Sequence, residues 1–138
     1  PLAGKGLGQV EGLASLIPPE SKGKALLILF MDQQQRPSRA MVQGLAGRVD
    51  WLKDKGIDVV VVQVAAMDRA ELDRWATEGK APFKIRMMEG DCERRRTAWG
   101  VRAIPWLILA DKDHNATAEG FGLDELNDKV GATESTAK

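Results

Sequence analysis

The chain reads as an α/β protein, a central mixed β-sheet flanked by helices, and three features predict this. The run Lys24 to Phe30 is almost wholly apolar and of strand length, as expected of a central strand covered on both faces. Ile57 to Val64 is a second such run, rich in β-branched residues. A whole helix's worth of chain separates the two, so they should pair in parallel. Trp106 to Ala110 and Ala116 to Phe121 flank the polar stretch Asp111 to Asn115, the pattern of an antiparallel hairpin.

The elements follow in order. Gly4, Gly6, Gly8 and Gly12 are spread through a weakly patterned opening, so residues 1–23 are expected to be a linker-like segment with room for a short strand. The domain proper is expected over 24–130. After the first strand, Pro37 suits the first turn of a helix, where its missing N–H costs nothing. Met41, Val42, Leu45, Val49 and Leu52 recur at helical spacing, with Gly56 as the stop. Asp68, with Glu71 three residues on, makes a capping-box-like start for a helix through Leu72, Trp75 and Ala76, ending near Gly79. Pro82 to Ile85 reads as a short extended piece, and Asp91 as the cap of a helix running to Trp99. Leu123, Leu126 and Val130 predict a last short helix, and residues 131–138 a flexible polar tail. The linker character of both ends is what a domain cut from a longer protein, or a mature form without its leader, would show.

Composition narrows the function classes. The 138 residues suit one domain with one sizeable core, and 43% hydrophobic with 29% charged residues is a globular balance. Formal net charge is zero, which argues against a broad nucleic-acid or anionic-membrane surface, since those rest on a basic excess. No apolar run approaches the roughly 20 residues that span a bilayer, and none reads as a signal peptide. One cysteine excludes an intramolecular disulfide and any multi-cysteine zinc site. No metal or cofactor is expected.

Two motifs carry the rest. Leu26-Leu27-Ile28-Leu29-Phe30-Met31 runs into Asp32-Gln33-Gln34-Gln35-Arg36-Pro37-Ser38-Arg39, and later comes Gly100-Val101-Arg102-Ala103-Ile104-Pro105-Trp106-Leu107-Ile108-Leu109. This pairing resembles the thioredoxin-like superfamily, whose first strand leads into Cys-x-x-Cys and whose later strand opens with Gly-Val-x-x-x-Pro. The resemblance spans roughly 24–130 and is nearest to redoxin and cytochrome-maturation types, which imply a strand–helix insertion in the fold. Members of this branch are often modules of larger bacterial proteins, and the resemblance favours an extracytoplasmic (periplasmic) setting.

Laid on that motif, the two cysteine positions are Gln35 and Ser38, so the loop Gln35, Arg36, Pro37, Ser38 is degenerate and cannot perform dithiol exchange. By resemblance Ile104-Pro105 maps onto the superfamily's cis-proline. The implied function is therefore a non-catalytic module that binds a peptide or protein in a groove formed by Gln34, Gln35 and Arg36 on one side and Ala103, Ile104, Pro105 and Trp106 on the other. An exposed Trp106 indole would wall that groove; a buried one would leave a structural spacer. The enzyme alternative is a one-cysteine thiol oxidoreductase or peroxidase using Cys92. At a helix start, near Arg94, Arg95 and Arg96, that thiol is expected to have a lowered pKa, although no base or second thiol lies nearby in sequence.

The remaining features read blandly. Three successive arginines spread over about 200° of a helix and do not form one patch. Asp111 to Asn115 begins like a calcium loop, but Ala116 replaces the required Gly and Gly122 the final Glu, so it reads as a polar turn with His114 exposed. Asn115-Ala116-Thr117 matches a glycosylation sequon. Trp51, Trp75 and Trp99 sit near helix ends or apolar stripes and are expected in the core or at its rim.

Overall fold

The computed structural model describes residues 1–136, with the side chains of 135 and 136 left aside. Among the described residues, five strands and five α-helices follow in the order β1 (Ala25–Met31), α1 (Arg36–Ala46), α2 (Val49–Asp54), β2 (Ile57–Gln63), α3 (Arg69–Glu78), β3 (Ile85–Met87), α4 (Cys92–Trp99), β4 (Trp106–Ala110), β5 (Ala116–Glu119) and α5 (Leu126–Thr136). The sheet order is β3-β2-β1-β4-β5. β1, β2 and β3 are parallel, while β4 and β5 are antiparallel to their neighbours.

The apolar runs behave as their pattern requires. Leu26, Ile28 and Phe30 of β1 face one core cluster, and Leu27, Leu29 and Met31 face another. A strand buried on both faces can be apolar at every position, which is why the run shows no alternation. One face is covered by α1, α2 and α5 through Val42, Leu45, Leu52, Leu126 and Val130. The other is covered by Trp99 of α4, whose ring lies 5.6 Å from that of Phe30.

Several boundaries differ from the sequence pattern. The single helix expected from Pro37 to Leu52 is two, α1 and α2, parted at Gly47–Arg48. The short edge strand falls at Ile85–Met87 and not at 82–85, because Ile85 to Met87 pair with Val61 to Gln63. Asp68 caps α3 by accepting from the Ala70 N–H at 3.1 Å, and Asp91 caps α4 by accepting from Arg94 at 3.0 Å. Gly100 closes α4 at φ +72°, a left-handed position that favours glycine.

The ends depart furthest from expectation. Residues 1–23 are not a linker: they form three short 3-10 turns, and Leu2, Leu7, Leu13 and Leu16 are buried in the core cluster that Trp99 shares. This segment leans on β5, with Gly4 N–H to Ala116 O at 2.8 Å, Ala116 N–H to Lys5 O at 2.9 Å and a lone bridge from Gly6 to Asn115. It thereby covers an edge that would otherwise expose unpaired backbone. Glu119 fastens it further by accepting the Leu2 and Ala3 N–H groups. At the other end, residues 131–136 continue α5 and are not tail-like; 137 and 138 lie outside the described residues. No described helix is long and apolar enough to cross a membrane.

Candidate functional site

Parallel β1 and β2 end together, with Met31 opposite Gln63, and the chain after β1 turns directly into α1. On the other side of β1, Phe30 is opposite Trp106. That register sets the loop after β1 beside the loop before β4, so the two sequence motifs meet at one end of the sheet.

The loop after β1 is held by a polar network that the sequence reading missed. Gln63 is fully buried at the end of β2. Its Oε1 accepts the Gln33 N–H at 2.8 Å, and its Nε2 donates to Asp32 Oδ1 and Ala65 O, both at 3.1 Å. Asp32 Oδ1 also accepts the Gln34 N–H at 3.1 Å. Ser38, in the first turn of α1, is fully buried and its Oγ accepts the Asp32 N–H at 3.0 Å. Arg39 Nη1 donates to Gln33 O at 2.8 Å. The sequence clue was a lone amide inside an otherwise apolar run, since a buried polar side chain must find partners.

This geometry defines what the loop can do. Ser38 is committed to the backbone and enclosed, so it offers no nucleophile. Gln34, Gln35, Arg36 and Pro37 are exposed at the N-terminus of α1, and Gln35 is its cap residue without a side-chain cap bond. Opposite, the Ile104–Pro105 peptide bond is cis. Arg102 and Ala103 are exposed and Ile104 half-buried, and none of the three makes a hydrogen bond among the described residues.

Of the two placements open to Trp106 in the sequence, exposed wall or packed side chain, the structure gives the packed one, half-buried. Its ring lies over Gly120, where a Cβ would come within 2.7 Å of it. It packs against the cluster on the sheet face opposite α1, and its indole Nε1 is enclosed without an acceptor. The pleat decides this: Trp106 shares its face with Ile108 and Ala110, while Leu107 and Leu109 face α1.

Cys92, the first residue of α4, lies in a cleft of about 540 Å³ with Val64, Ala65, Arg96, Val101 and Arg102, the last of these from the loop before β4. Its pKa is raised, against expectation. Desolvation by burial is the largest cause and Asp91 adds to it, and together they outweigh Arg95, Arg96 and the backbone hydrogen bond, which lower it. The three arginines diverge as helical spacing requires: Arg94 is exposed, Arg95 packs on Gly12, and Arg96 lines the Cys92 cleft.

His114 is half-buried, not exposed, at φ +64°. Its Nε2 lies 3.0 Å from both Ser21 O and Lys24 O; since carbonyls only accept, that nitrogen carries the proton. It ties the hairpin turn to the start of β1. Among the described residues, no group of three or more His, Cys, Asp or Glu is placed to hold a metal ion.

No family model matches the chain, and no curated protein matches it. Solved structures do. The thioredoxin domain of a thiol-disulfide oxidoreductase from Bacteroides vulgatus aligns with TM-score 0.70 at 20% identity, covering 82% of this chain and 81% of that one. A putative thiol:disulfide interchange protein DsbE from Chlorobium tepidum aligns with TM-score 0.69 at 18% identity, over 83% and 82% of the two chains. StoA from Bacillus subtilis aligns with TM-score 0.63 at 12% identity, over 78% and 83%. The fold is thioredoxin-like, as the two sequence motifs implied.

Proposed function

We propose that this chain is a redox-inactive thioredoxin-like domain that binds an extended peptide or protein segment without covalent capture, as a binding or scaffolding module of a larger bacterial protein. Thiol–disulfide exchange needs a thiolate and a resolving thiol. Here Gln35 and Ser38 stand at the motif's two cysteine positions, and Ser38 is enclosed. The observation that supports binding is the unpaired backbone of Arg102 to Ile104, next to the exposed Gln34, Gln35 and Arg36. An extended segment can add to such a backbone by main-chain hydrogen bonds, with the polar residues at the α1 N-terminus on its other side. Without covalent capture the affinity should be weak and reversible. The one-cysteine enzyme loses support, because a raised thiol pKa leaves less thiolate at neutral pH.

The test is an amide-resolved NMR titration with a panel of short unstructured peptides. Saturable shifts confined to residues 33–36 and 102–104, weakened by Ala103→Pro, are expected. The placement of Trp106 over Gly120 favours a second reading, a structural spacer. Peptides that leave both loops unshifted would establish that reading instead.

A further inference from the structure

A cleft of about 410 Å³ lies near the carboxyl end of β3, beyond the loop pair just described. Its lining draws Arg69 from α3, Arg86 from β3 and Arg95 from α4, together with Gly12 and Ser15 of the N-terminal segment and the exposed Glu89. Three arginines from three separate elements and one glutamate line it, in a chain whose net charge is zero; Arg95 also borders a second cleft with Glu11 and Asp91. Of the three, only Arg69 forms an ion pair among the described residues, with Asp73 at 3.2 Å. Arg86 and Arg95 are half-buried, and neither guanidinium group forms an ion pair or hydrogen bond among the described residues.

The Arg95 guanidinium lies close to two glycines. A Cβ on Gly12 would fall 1.4 Å from its Nη1, and one on Gly90 would lie 3.8 Å from its Nε. Its guanidinium thus lies against backbone that carries no side chain, and Gly12 is at φ +81°, a left-handed position that favours glycine. A guanidinium partly withdrawn from water gains most from an oxyanion that replaces its lost hydration, and its planar fork matches phosphate and carboxylate geometry. A volume of this size exceeds a bare ion and falls within the range of small-molecule sites.

We propose that the Arg69–Arg86–Arg95 cleft is a binding site for a small, multiply charged oxyanion, a ligand class separate from the peptide segment proposed above. The experiment is an amide-resolved NMR titration with inorganic pyrophosphate and, in parallel, citrate, against sodium chloride at matched ionic strength. Saturable shifts at Gly12, Gly90 and the residues flanking Arg86 and Arg95 are expected with one oxyanion or both. The tighter of the two identifies phosphate or carboxylate chemistry. Arg86→Gln and Arg95→Gln should each weaken binding about tenfold or more, as loss of a charge-assisted hydrogen bond would. Arg95→Lys, which keeps the charge and loses the fork, should fall between. Arg69→Gln, at an exposed position that leaves the core untouched, should weaken the same titration. Shifts that chloride reproduces, binding unchanged in every variant, or no saturation with either oxyanion would overturn the proposal.

Discussion

Gln63 has the most to lose by substitution of any polar residue in the site. Gln63→Leu would strip partners from the half-buried Gln33 N–H and from Asp32, and should cost about 1 to 3 kcal/mol in urea unfolding. Ser38→Ala removes only the acceptor of the Asp32 N–H and should cost about 1 kcal/mol. Equal, small effects from both would mean that the network does not hold the loop. Cys92 makes a pH prediction with a definite sign. Burial and Asp91 raise its folded pKa, so the folded state keeps the thiol proton at a pH where the unfolded chain has released it. The associated stability is present below the unfolded value, about 8.5, and is lost as pH rises through the folded one. Alkylation by iodoacetamide should therefore reach half its limiting rate at higher pH than a free thiol does. A midpoint below that of a free thiol would restore the reactive-cysteine reading.

At the scale of elements, the N-terminal segment is the surprise. Leu7→Ala should cost about 3 kcal/mol, the range for a buried leucine. A loss below about 1 kcal/mol would mean the segment behaves as the linker its glycine pattern suggested. That pattern misled because short irregular turns have no period, while the buried leucines fall at irregular intervals. The first turn of α1 offers a second test. Gln35 is exposed at the cap and Ser38 buried one turn on, the relation a surface thiol and its resolving partner would need. In a Cys92→Ser background, Gln35→Cys with Ser38→Cys should close a disulfide on mild oxidation, read by mass and by mobility of the alkylated protein. Two free thiols after oxidation would show that the loop is not built like the thiol-bearing relatives' loop.

For the whole molecule, the expected outcome is no turnover in an insulin-reduction assay, because one cysteine cannot complete a dithiol cycle. Activity that survives Cys92→Ser would overturn the redox-inactive reading outright. Tying the N-terminal segment to the rest of the chain matters at this scale as well. His114 joins the hairpin turn to Ser21 and Lys24, Glu119 holds Leu2 and Ala3, and Trp99 donates to Glu11 O at 3.2 Å. Each contact links residues far apart in the chain, so the N-terminal segment and the hairpin should unfold together with the sheet.

The sequence by itself determined four of the five strands, most helix starts and the absence of a thiol pair. Those depend on neighbours a few residues apart: an apolar run, a capping aspartate, a proline in a first turn. It also showed that Arg94, Arg95 and Arg96 diverge, because helical geometry alone separates them. Only the tertiary structure decided the face on which Trp106 lies, the burial that raises Cys92, the partners of Gln63, the enclosure of His114 and the convergence of Arg69, Arg86 and Arg95. These depend on pleat phase, on how far water is excluded, and on which distant segments the closed chain brings together. Local periodicity carries none of that information, since the same side chain is core, rim or ligand according to what packs over it.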